Sequence, residues 1–154
     1  MPSSEIPVLL SVCYDIEMKM YELYKILADK FSDNEKIKSL FLKTANEEIN
    51  HANQFRFAMN ITYKSRMEFE TDISEIKKKV EKIDETILFA RTMEYDLKNI
   101  LELCIQLEEE FAEYHASRII KFPNEKSLEQ LFYAMMKADK GHVEELRQAL
   151  KEIN

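Results

Sequence analysis

Glu17, Glu48 and His51 superpose on Glu108, Asp139 and His142 with one constant offset of 91 residues. The same offset pairs Cys13 with Cys104, Glu22 with Glu113, Lys30 with Lys121 and Phe31 with Phe122. It also pairs Leu40 with Leu131, Phe41 with Phe132, Arg56 with Arg147 and Ala58 with Ala149. A chain patterned in this way is two helical hairpins built to one plan. Two copies are too few for a solenoid, which needs three or more. Two hairpins that bury their apolar faces against each other make a four-helix bundle, so the expected fold is all-α.

Composition agrees. Among 154 residues there are one Gly and three Pro, and 33% are charged. That suits long helices with few turns. No sustained alternation and no Asn-Gly or Asp-Gly turn signals a strand. The length fits one domain over residues 1–154. A net charge of −7 argues against nucleic acid, whose phosphates require a basic patch. The apolar run Pro7 to Cys13 is short, follows Glu5 and has no basic leader. It is read as neither a signal peptide nor a membrane span. Cys13 and Cys104 are read as small buried apolar residues, no Cys-x-x-Cys occurs, and a reducing cytoplasm is the expected compartment.

Helix 1 is expected from about Ser4 to Phe31, capped by Ser3 or Ser4, with Pro7 tolerated in its first turn. Its seam steps by three and four through Ile6, Leu10, Cys13, Glu17, Met20, Tyr24, Leu27 and Phe31. Ser32-Asp33-Asn34 turns the chain and caps helix 2, from about Glu35 to Asn60, with the seam Ile37, Phe41, Thr44, Glu48, His51, Phe55 and Ala58. Short connections make antiparallel neighbours. The segment Ile61 to Tyr95 reads as a crossover that travels the length of a bundle. It carries a short basic helix, Glu75 to Ile83, capped within Asp72-Ile73-Ser74, and a second around Glu85 to Met93. That path makes helices 2 and 3 parallel. Helix 3 spans about Asp96 to Ile120, with the seam Leu97, Leu101, Cys104, Glu108, Phe111 and His115. Helix 4 starts at Pro123-Asn124 and reaches about Ile153, with Leu128, Phe132, Met135, Asp139, His142, Leu146 and Ala149 inward. Gly141, mid-helix, costs about 1 kcal/mol relative to Ala.

The polar residues in these seams carry the chemistry. A lone carboxylate in an apolar seam costs several kcal/mol or takes up a proton. Glu48 and His51, three apart, share one helix face, as do Asp139 and His142. Glu-x-x-His from each of two helices, with a single Glu from each of two others, is the donor set of helix-bundle dimetal carboxylate sites. Taken singly, a seam His is more often a satisfied core residue; the six residues together point to metal. Four carboxylates and two imidazoles suit two Fe ions, with Mn an alternative and Zn a passenger. The four carboxylates balance two divalent cations.

Lys43-Thr44-Ala45-Asn46-Glu47-Glu48-Ile49-Asn50-His51-Ala52 resembles the second-helix signature of rubrerythrins. Ile16-Glu17, with Tyr24 seven residues on, resembles the first-helix signature of ferritin-like proteins. The resemblance spans roughly Ser4 to Ile153. It implies a ferritin-like bundle with a left-handed crossover and a di-iron site at mid-height. It implies that Glu17 and Glu108 are terminal ligands, that Glu48 and Asp139 bridge, and that His51 and His142 each bind one metal. Tyr24 matches a family Tyr that hydrogen-bonds near the site, and its counterpart here is His115. The chain departs from rubrerythrins in three ways. Asp139 replaces a Glu. Ile105 and Phe111 leave helix 3 without the extra Glu one turn from its ligand. No rubredoxin domain is seen, so electrons are expected from a separate donor protein. The ligand count is closer to the six-ligand bacterioferritin set.

Other residues keep two readings. His115 is either a polar core residue bonded to a neighbouring helix or a group that orients a ligand. Glu47 either orients a metal-bound His, which its counterpart Ala138 cannot do, or is simply solvated. Glu109 and Glu110 read as a solvated face, Lys77-Lys78-Lys79 as an exposed one, and the eight Met as core filler. The function expected from the resemblance is reduction of peroxide or oxygen, as a peroxidase or ferroxidase in oxidative-stress defence, by a homodimer. Hydroxylation of an organic substrate, iron storage in a shell, and a metal-stabilised helical interaction module share the fold and ligands and stay open.

Overall fold

The computed structural model describes residues 4–62, 68–69, 73–122 and 125–153. Five helices account for nearly all of them: α1 (Ile6–Lys30), α2 (Glu35–Thr62), α3 (Ile73–Thr92), α4 (Leu97–Lys121) and α5 (Lys126–Glu152). The chain divides into two compact units, Met1–Met93 and Glu94–Asn154. No described helix is long and apolar enough to cross a membrane.

In the first unit α1 and α2 form a hairpin. The turn closes with Phe31 N–H donating to Leu27 O at 3.0 Å and Asn34 N–H to Phe31 O at 3.0 Å. Of the three expected turn residues, Asn34 is the cap: its Oδ1 accepts from Ile37 N–H at 3.2 Å, which satisfies a donor the first helical turn cannot. The seam positions Leu10, Cys13, Met20, Leu27, Phe41 and Phe55 are buried. Thr44 is buried among them because its hydroxyl donates to Leu40 O at 2.9 Å.

The stretch expected as two short helices is one helix, α3, of 20 residues. Asp84-Glu85 looks like a joint in sequence, yet Ile76, Ile83, Ile87 and Ala90 line one buried stripe straight through it. Asp84 lies outside that stripe and accepts from Lys19 of α1 at 2.5 Å. Glu22 of α1 pairs with Arg91 one turn or more further along. The helix therefore runs alongside α1 in the same direction and carries the chain back along the hairpin. The expected cap residue Asp72 lies outside the described residues.

One element was not expected. Ser4–Glu5 (β1) and Glu68–Phe69 (β2) form a two-residue antiparallel pair, Ser4 opposite Phe69 and Glu5 opposite Glu68. Helix 1 accordingly begins at Ile6 and not at Ser4. Two residues are too few to show an alternating pattern.

In the second unit α4 and α5 form the matching hairpin. Asp96 caps α4, its carboxylate accepting from Asn99 N–H at 2.8 Å. Pro123 and Asn124 lie outside the described residues; α5 begins at Lys126, with Glu125 at its cap position making no side-chain cap bond. The buried residues of α5 are Leu128, Phe132, Met135, Asp139, His142, Leu146 and Ala149, the whole of the expected seam.

The repeat is visible as contacts. Tyr24 stacks on Phe41 at 6.0 Å, and His115 lies 5.9 Å from Phe132. Phe31 lies 6.4 Å from Phe41, and Phe122 lies 5.9 Å from Phe132. Each pair is its partner moved by the offset of 91. Among the described residues two methionines are buried in the core, Met20 and Met135. Met93 is 54% exposed, which corrects the reading of all eight as filler.

Candidate metal centre

Glu17 reaches inward from α1, and Glu48 and His51 from successive turns of α2. They are 2%, 2% and 8% exposed. Nδ1 of His51 stands 3.7 Å from Oε1 of Glu48 and 3.9 Å from Oε2 of Glu17. One ligand atom from each of the three lies within 4.8 Å of the others. These separations are too long for hydrogen bonds. They suit a shared ion. A transition metal sits about 2.0–2.2 Å from carboxylate oxygen or imidazole nitrogen, so two of its ligands can be no more than twice that apart.

The second unit repeats part of this arrangement. Oε2 of Glu108, on α4, stands 3.5 Å from Nδ1 of His142, on α5. Both residues are buried. Asp139, one turn before His142 on the same helix, is also buried, and its Oδ2 lies 2.6 Å from Nδ1 of His115 on α4. The internal repeat thus brings an acid and an imidazole together in each hairpin, Glu17 with His51 and Glu108 with His142. It differs at the remaining carboxylate: Glu48 faces His51 of its own hairpin, whereas Asp139 is bonded to His115.

Helix register decides which of three consecutive glutamates enters. Glu108 is fully buried, while Glu109 turns outward to accept from Arg147 of α5 at 2.6 Å. Successive residues on a helix turn by about 100°, so neighbours in sequence cannot share a face. Glu47 follows the same rule. Its carboxylate is partly exposed and lies 3.8 Å from Lys43 Nζ, one turn away on the same helix. Tyr24 is fully buried, its ring on Phe41.

Burial raises the Cys104 thiol above its ordinary range, and the Glu108 carboxylate one turn on adds to the shift. Cys104 therefore stays a neutral thiol, as a small core residue should.

Among the described residues one buried charged group lies outside the expected seams. Arg118 is 1% exposed, its guanidinium 4.4 Å above the ring of Tyr114. A step of three from His115 along the seam lands on Arg118, and the offset of 91 pairs it with Leu27, a core position. Extending the seam one more turn would have found it.

A family model described as Rubrerythrin matches residues 9–150 of the chain. A comparison with curated proteins returns no match.

Proposed function

Because the chain belongs to the rubrerythrin family, we propose that it is a non-haem di-iron protein that reduces peroxide or oxygen in oxidative-stress defence. Its fold is of the all-α, ferritin-like class. The observation that carries the reading is the buried acid–imidazole pair found twice at matched positions, 3.9 Å for Glu17 with His51 and 3.5 Å for Glu108 with His142. Hydrophobic burial of such groups is unfavourable unless a cation or protons offset their charge. Carboxylate oxygens and imidazole nitrogens form a donor set that suits iron, with Mn the nearest rival.

Glu17, Glu48 and His51 of the first hairpin and Glu108, Asp139 and His142 of the second are the residues that would hold the two ions, all six of them buried. Iron ions held there would supply, one electron each, the two electrons that convert hydrogen peroxide, with two protons, to two waters. The chain's own part is to hold the ions with deprotonated carboxylates and neutral imidazoles. The surrounding core, Cys13, Met20 and Phe55 in one hairpin and Cys104, Phe111 and Met135 in the other, keeps bulk water out. Electrons return from a separate donor protein. The buried cysteines Cys13 and Cys104 accord with work in the reducing cytoplasm. The active form is a homodimer, which sedimentation at tens of micromolar tests (a concentration of order well above the Kd of a stable interface).

The deciding experiment follows visible absorbance of the anaerobically iron-loaded protein on mixing with peroxide and, separately, with oxygen. Rapid oxidation by peroxide and slower oxidation by oxygen is expected. Indifference to both, with iron bound, would show that the metal is structural.

A further inference from the structure

Two departures from the internal repeat fall inside the candidate site. Where the first unit carries Tyr24 and Glu48, the second carries His115 and Asp139. In the structure the two departures touch. Nδ1 of His115 and Oδ2 of Asp139 are 2.6 Å apart, and each residue is 2% exposed. Two bare acceptors at that distance repel, so a proton lies between them, and an imidazole N–H donating to a carboxylate is the arrangement that satisfies both. The ring is itself held. It stands edge-on to Tyr114 at 5.9 Å and tilted against Phe132 at 5.9 Å. His115 therefore presents a fixed donor, and the shorter arm of Asp139 ends on it.

We propose that His115 is the positioning residue of Asp139: it holds Oδ2 and leaves Oδ1 as the oxygen for the ion bound by Glu108 and His142. The proposal rests on the two-metal reading above. A carboxylate anchored through one oxygen loses less rotamer freedom when the other binds an ion. Partners that orient a ligand in this way are worth about 10–100-fold in metal affinity. The substitution of Glu by Asp and of Tyr by His are then one change made in two places.

The test is anaerobic calorimetric titration with Fe(II) of the wild-type chain and four variants, each checked for folding by its circular-dichroism melt. Wild type is expected to bind two ions. His115→Leu should weaken one binding step about 10–100-fold and leave the other unchanged. His115→Asn, which keeps an N–H donor near the place of Nδ1, should recover most of that loss. Asp139→Glu alone should weaken the same step, and Asp139→Glu combined with His115→Tyr, which installs the residues of the first unit, should restore it. A His115→Leu variant that binds both ions like wild type overturns the proposal. So does equal loss in the Leu and Asn variants, equal loss at both steps, or a double variant that loses as much as Asp139→Glu alone. A wild-type chain that takes fewer than two ions overturns the two-metal reading itself, and that result is in hand before any variant is compared.

Discussion

Nδ1 of His142 stands 3.5 Å from Oε2 of Glu108 across the α4–α5 hairpin, as Nδ1 of His51 stands 3.9 Å from Oε2 of Glu17 across α1–α2. The relationship makes Glu108, and neither of its neighbours, the inward-facing glutamate of α4. Glu108→Gln is expected to lose at least one of two irons and all turnover with peroxide. Glu109→Gln removes only an exposed pair with Arg147, worth about 0–1 kcal/mol, and should bind both ions, as should Glu110→Gln. Iron stoichiometry and single-turnover oxidation of the three variants side by side check this. A reactive Glu108→Gln beside a failing neighbour would move the register of α4.

Iron should stabilise the fold. Four buried carboxylates, Glu17, Glu48, Glu108 and Asp139, are costly to leave charged without a cation. Binding to the native state alone stabilises by about 2.7 kcal/mol at a free concentration 100 times Kd. The melting temperature should rise on loading and fall back on chelation. A melt indifferent to both treatments would contradict buried ligands.

Gly141 lies within α5 with no positive φ, and a Cβ built on it meets nothing within 4 Å. The structure gives this glycine no steric reason. Gly141→Ala should therefore stabilise the protein by about 1 kcal/mol, the helix-propensity difference, with iron content unchanged. The urea midpoint measures it, and a lower midpoint would mean that something outside the chain needs the space.

The continuity of α3 is testable at Glu85, which is exposed. Proline there removes a mid-helix hydrogen bond and clashes with the preceding turn, at about 3 kcal/mol or more. Glu85→Pro should lower the urea midpoint by that amount while Glu85→Ala leaves it nearly unchanged. Equal midpoints would restore a joint between two short helices.

The Cys104 thiol, raised by burial and by Glu108, should resist alkylation in the folded protein well into alkaline pH. Its folded pKa lies above the unfolded value. The contribution to stability is therefore complete below the unfolded thiol pKa and is lost as pH rises through the folded one. Iodoacetamide labelling at pH 9, native against urea-unfolded, measures the difference. Equal rates would place the thiol in water.

Much of this was legible in the chain itself. Helical periodicity is local, so steps of three and four through Leu10, Cys13 and Glu17, or through Met135, Asp139 and His142, locate the inward face without any partner. The offset of 91 named the matched pairs that the contacts of Tyr24, Phe41, His115 and Phe132 reproduce. What periodicity cannot report is where a side chain ends. That depends on arm length, rotamer and the neighbour across the hairpin. Only the folded units set Oδ2 of Asp139 on His115 and bring Asp84 of α3 to Lys19 of α1. The short β1–β2 pair belongs with these, because two residues meeting two others distant in sequence leave no periodic trace. Sequence alone determined which residues face inward, since a helix turns by a fixed angle per residue. The tertiary structure decided which inward atoms meet, because that choice rests on distances between helices that no single helix contains.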